Sequence, residues 1–156
     1  MVVTAKELDM TRDDLTNKIV GAKLAKGLKW RDLAEVLGTS KEWATAALLG
    51  QMTLTKAQAE AIGKVLELDS ESVLLLQQVP YKGSLATAIP TDPLIYRFYE
   101  LINVYGTTLK ALIHEEFGDG IMSAIDFSMS LEREPDPKGD RVHIKMSGKF
   151  LPYKTY

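Results

Sequence analysis

The hydropathy pattern of this chain changes period once, and that change constrains the fold more than any other feature. Up to about residue 117, apolar residues recur at helical spacing. From there they alternate. Ile121, Ser123, Ile125, Phe127, Met129 and Leu131 fall on one phase, and Met122, Ala124, Asp126, Ser128 and Ser130 on the other, which predicts a strand. EPDPKGD follows as a turn rich in Pro, Asp and Gly. Val142, Ile144 and Met146 then alternate with Arg141, His143, Lys145 and Ser147 in a return strand. One hairpin on a helical support is marginal in water, with two open edges and a thinly covered face. The expectation is that another copy of the chain completes the sheet across a symmetric interface.

The support for that hairpin begins at Asp92 and Pro93, a capping carboxylate followed by proline at the first helical position. The spacing predicts one helix through LIYRFYELINVY that stops at Gly106. A second, LKALIHEEF, starts at Thr107 or Thr108 and stops at Gly118. Upstream, PYKGSLATAIPTDP carries three prolines, a glycine and small polar residues, so it reads as a linker. The predicted division is residues 1–87, a helical bundle with its linker, and residues 88–156.

Five helices are predicted in the first part. Thr11 with Asp14 is a capping box, and Leu15, Ile19, Ala22 and Leu24 mark the first apolar face, which Gly27 ends. LKWRDLAEVLGTSKEWATAALLGQ reads as helix, turn, helix, with Gly38 for the tight turn and Ser40 as the cap. Thr55 with Gln58 opens a fourth helix, and Asp69 or Ser70 opens a short fifth. Leu74, Leu75 and Leu76 are too continuous for one amphipathic face, which predicts a fifth helix covered on several sides. The fold class is therefore α+β: a five-helix bundle of helix-turn-helix-like topology, then a small domain of two helices and a β-hairpin.

The helix-turn-helix look raises DNA binding as an alternative function, with the second part as a dimerisation module. Chemistry opposes it. A recognition helix needs Arg, Lys, Asn or Gln near its start to reach base edges. Here the helix begins SKEW, so Lys41 is followed at once by Glu42, which phosphates repel. Basic and acidic side chains nearly balance over residues 1–80. The whole chain carries 19 basic against 21 acidic residues, with no general field for nucleic acid or an anionic membrane. No partnership with nucleic acid or membrane is expected.

The chain has no cysteine, which removes disulfides, thiolate chemistry and cysteine-ligated metal. MVVTAKELDMTRDD has acids where a signal peptide needs an apolar core. No uncharged apolar run approaches the roughly 20 residues of a membrane span. These features predict a cytoplasmic protein. No phosphate loop, dinucleotide motif or metal-ligand cluster appears.

Three residues stand out as candidate site residues. Arg97 and Glu100 lie one helical turn apart, beside Tyr96, Phe98 and Tyr99. One reading is a surface ion pair; the other is a guanidinium held among aromatics as a two-pronged anion binder. Ser123 occupies the apolar phase of its strand, between Ile121 and Ile125. It is either a small residue in a tight core or a hydroxyl facing a pocket. His114 and His143 read as surface residues. Pattern alone reaches a symmetric oligomer with a small-anion site and no named substrate.

The stretch IPTDPLIYRFYELINVYGTTLKALIHEEFGDGIMSAIDF closely resembles the signature region of the cyanase family, the cyanate hydratases or cyanate lyases. AALLGQ, SVLLLQ and KFLPYK resemble the same family in the same order, so the resemblance runs from about residue 11 to the end. It implies a helix-turn-helix-like bundle not used for DNA and a C-terminal domain whose strands interlace in a dimer, with five dimers in a decameric ring. It implies conversion of cyanate and bicarbonate to carbamate and carbon dioxide, the carbamate then giving ammonia and a second carbon dioxide, with bicarbonate as co-substrate and no cofactor. The family's catalytic arginine, glutamate and serine fall on Arg97, Glu100 and Ser123, converging from different subunits.

Overall fold

The computed structural model describes residues 9–156; the expectation of no signal peptide concerns, in part, residues 1–8, which lie outside the described residues. The chain forms two compact units, Met1–Ser84 and Leu85–Tyr156. The first holds α1 (Arg12–Ala25), α2 (Trp30–Leu37), α3 (Lys41–Leu48), α4 (Lys56–Leu66) and α5 (Ser70–Leu75). The second holds α6 (Pro93–Phe117), β1 (Gly120–Glu134) and β2 (Arg141–Pro152). The α+β reading holds.

Local chemistry sets the helix starts of the first unit. Thr11 and Asp14 form the capping box of α1, Ser40 accepts from Trp43 N, Thr55 and Gln58 box α4, and Asp69 accepts from Ser72 N. Each such cap is worth about 1 kcal/mol. Gly38 adopts φ 68°, a left-handed conformation that glycine reaches without a Cβ penalty, and so turns α2 into α3. The helices close on one core of Leu15, Ile19, Leu33, Leu48, Leu54, Ile62, Leu66 and Leu76, all at most 2% exposed. Trp43 packs against it, and Ala44, Ala47 and Leu48 of α3 are buried within it. Lys41 is paired with Glu42 at 2.7 Å. The fifth helix is covered on several sides, as expected: Ser72 and Leu76 are fully buried and Val73 and Leu75 pack against the core, while Leu74 is half exposed.

The second unit differs in kind. Among the described residues the hydrophobic core cluster lies within residues 15–76, and of the second unit's apolar residues only Pro90 is buried. Asp92 caps α6 by accepting from Leu94 N and Ile95 N, and Pro93 opens it. The helix then runs unbroken for 25 residues to a cap at Gly118. The two helices expected here are therefore one. Glycine ends a helix when it turns left-handed, and Gly106 does not. Kept in the helical region, it costs about 1 kcal/mol relative to alanine, too little to break a long helix.

β1 and β2 form a two-stranded antiparallel sheet. Gly120 to Met122 pair with Pro152 to Phe150, and Phe127 to Glu134 pair with Gly148 to Arg141. Between these blocks the register shifts. Strict alternation through Ser123 and Ile125 therefore fails: Ser123 is 6% exposed and Ile125 is 99% exposed. Three contacts tie the end of α6 to the hairpin. Phe117 stacks on Phe150 with ring centroids 5.2 Å apart, His114 Nε2 lies 3.3 Å from the Gly120 carbonyl oxygen, and Tyr153 N donates to Asp119 O. His114 is thus half-buried with a local structural contact, rather than a plain surface residue.

Candidate active site

Arg97 and Glu100 sit on the first turns of α6, and the helical repeat brings them together. Arg97 Nη1 is 2.7 Å from Glu100 Oε2, and Arg97 Nε donates to Pro93 O at 3.2 Å. The Arg97 guanidinium carbon lies 5.4 Å from the centre of the Tyr96 ring, and Tyr96 leans on Tyr99 at 5.8 Å. The guanidinium is thus aimed by a carboxylate, a backbone carbonyl and an aromatic face. The side chains are 62% and 50% exposed, and Tyr96, Phe98 and Tyr99 are themselves more than a third exposed. The packed surroundings expected from the aromatic neighbours are absent in the single chain. An ion pair this open adds a few tenths of a kcal/mol to the helix. It is poor as a stabilising element and well suited to presenting a cation.

Ser123 is held by its own strand. Its Oγ accepts from Ile125 N at 3.0 Å and from Asp126 N at 2.9 Å. A hydroxyl has two acceptor lone pairs and one hydrogen. Both acceptor positions are engaged, so the remaining capacity of Ser123 is donation, which suits an anion. Ser123 is buried at the register shift, where its hydroxyl caps two amides of its own strand. Among the described residues no hydrogen bond joins it to Arg97 or Glu100. The chain brings two of its three candidate residues together and leaves the third apart.

Sequence periodicity missed the register shift and the residue opposite it, Gly148. The one available signal was the small residue itself in an otherwise alternating strand. Among the described residues, no group of three or more His, Cys, Asp or Glu side chains is arranged to hold a metal ion.

Comparison with known proteins decides the family. The family model for the cyanate hydratase N-terminal domain matches residues 12–80, and that for the cyanate lyase C-terminal domain matches residues 87–155. The chain belongs to the cyanate hydratase family. It is 74% identical over 147 residues to the cyanate hydratase of Ralstonia pickettii (strain 12J), covering 94% of this chain and 100% of that protein. The cyanate hydratase of Dechloromonas aromatica (strain RCB) is similar to the same degree over the same span. Among solved structures, the crystal structure of cyanase from T. urticae matches with a TM-score of 0.78 and 41% identity, covering 90% of this chain and 98% of that one. These relatives are enzymes by name and lend the DNA-binding alternative no support. Among the described residues, no helix is long and apolar enough to cross a membrane.

Proposed function

We propose that this chain is a cyanate hydratase, a lyase that decomposes cyanate with bicarbonate as co-substrate and no cofactor. The observation that carries the reading is the match of both family domains, together with 74% identity along the full length of a cyanate hydratase. Its proposed setting is the cytoplasm.

In this proposal Arg97, Glu100 and Ser123 are the catalytic residues. Cyanate and bicarbonate are both anions, and two unit charges 4 Å apart repel by about 4 kcal/mol at an effective dielectric of about 20. Arg97 offsets that repulsion. Glu100 keeps the guanidinium aimed, through the 2.7 Å contact. The Ser123 hydroxyl donates to an anion oxygen and orients it. A bicarbonate oxygen attacks the cyanate carbon, carbon dioxide leaves, and the nitrogen retains the carbamate carbon. Charge and atoms balance with uptake of one proton. Carbamate then takes up a second proton and yields ammonia and carbon dioxide. Positioning two small ions against their repulsion is the main catalytic contribution.

The site is proposed to form between copies of the chain. No hydrogen bond links Ser123 to Arg97 or Glu100 among the described residues, and α6 buries none of its residues. A 25-residue helix with apolar residues around it is not stable as a solvated rod; its apolar surface calls for cover. We assign that cover to further copies: dimers with interlaced hairpins, five of them in a decameric ring.

The test is ammonia release from cyanate by purified protein, with and without added bicarbonate and with a chelator present. Bicarbonate-dependent release that survives the chelator is expected. Absence of any such release would overturn the reading.

A further inference from the structure

The register shift that holds Ser123 is large. β1 spends four residues, Ser123 to Asp126, where β2 spends only Lys149, between the pairs Met122–Phe150 and Phe127–Gly148. Surplus residues in one strand must leave the sheet plane. They do so as a hump whose inner polar contact is the Ser123 hydroxyl, bonded to the amides of Ile125 and Asp126. What lets the opposite strand run beneath the hump is Gly148. A Cβ built on Gly148 would fall well inside van der Waals distance of the Ser123 carbonyl oxygen, 2.6 Å from Met122 Cγ and 3.3 Å from Met122 Sδ. Gly148 is not in the left-handed region, so its conformation is open to any residue. Glycine is needed there for space alone. The methionine side chain can swing aside; the carbonyl cannot move without moving Ser123.

We infer that Gly148 is a positioning residue for the Ser123 hydroxyl: it is the absent side chain that fixes where the hydroxyl stands. The inference rests on the proposed catalytic use of Ser123, and it adds the element that sets its place. Removing the space should shift the hump outward by a fraction of an ångström or more. Displacements of that order in a positioned reactant cost up to about a hundredfold in rate.

The experiment compares wild type, Gly148→Ala, Met122→Ala and the double variant by steady-state turnover of cyanate at saturating bicarbonate. Amide hydrogen exchange along β1 is measured on the same samples, together with molecular mass. Gly148→Ala should keep its mass, lose roughly ten- to a hundredfold in kcat/KM, and exchange faster at Ile125 and Asp126 but not at Met129 or Ser130. The double variant should remain within about threefold of Gly148→Ala, because trimming Met122 leaves the carbonyl contact in place. Near wild-type turnover in Gly148→Ala would overturn the inference, as would recovery of the double variant to the level of Met122→Ala. So would uniform acceleration of exchange along the strand. If Gly148→Ala does not assemble, the double variant serves alone. Failure of both to assemble also counts against the inference, since Gly148 would then hold the fold and not the serine. Should wild type lack bicarbonate-dependent turnover, the functional reading fails. The exchange arm still decides whether Gly148 places Ser123.

Discussion

Arg97 Nη1 rests 2.7 Å from Glu100 Oε2 while Arg97 Nε donates to the Pro93 carbonyl, so two edges of one guanidinium are tied to its own helix. That ties down orientation without adding much stability, because both side chains are at least half exposed. Arg97→Ala is therefore expected to abolish turnover, by about a thousandfold or more for loss of a transition-state charge contact. The unfolding free energy should change by less than about 1 kcal/mol. Arg97→Lys should rescue only a minor part, since a point charge cannot reproduce the two-edged hold. Turnover assays and thermal melts on the two variants check both statements; near wild-type rates in Arg97→Ala would remove it from the site.

Ser123→Ala deletes an acceptor as well as a donor. Ile125 N and Asp126 N lose their partner, so exchange at these two amides should quicken along with the loss of turnover. Amide exchange followed residue by residue tests this. Unchanged protection at both positions would show that the hump holds its shape without the hydroxyl.

In the bundle, α4 and α5 approach closely at Gly63, where an added Cβ would overlap Val73 Cγ2. A glycine inside a helix normally gains up to about 1 kcal/mol when changed to alanine. Here Gly63→Ala is expected to destabilise by about 1–3 kcal/mol through overpacking. Combined with Val73→Ala, the loss should be smaller than the sum of the two single losses. Urea unfolding of the three variants measures it.

The Asp69 carboxyl is held well below the usual carboxylate range. The largest cause is the hydrogen bond from Lys18 at 2.7 Å, followed by those from Ser72. A depressed folded-state value means that the charged form stabilises the fold above the unfolded-state pKa of about 3.9. That stability is lost as pH falls from there toward the folded value. Asp69→Asn should thus melt below wild type at pH 7, and the gap should close progressively below about pH 4. Melting curves across pH 2–7 give the comparison; a gap that persists unchanged into acid would assign it to the helix cap rather than to charge.

Ile125 is 99% exposed at the crest of the hump, in a unit whose large apolar side chains are widely exposed. If copies of the chain cover that unit, Ile125→Asp should lower the solution mass toward the 17.3 kDa of a single chain and reduce turnover in step. Light scattering and activity on the same fractions test it. Full mass with full activity would place Ile125 outside any interface.

What could be read from the residues in order was whatever their near neighbours determine. Capping boxes at Thr11 and Thr55, the left-handed turn at Gly38, the Asp92–Pro93 start and the hairpin turn depend on hydrogen bonds spanning three or four residues, and these all stand as expected. The Arg97–Glu100 pair belongs with them, since one helical turn is enough to make it. Two features could not be read this way. Gly106 carries the signal of a stop, yet whether a glycine bends or continues depends on what packs along the helix on both sides of it. Ser123 carries the signal of an inward strand position, yet its burial comes from a register offset between strands some 25 residues apart, with Gly148 leaving the room for it. Strand register is a pairing between distant segments, and a period of two in one strand says nothing about surplus residues relative to the other.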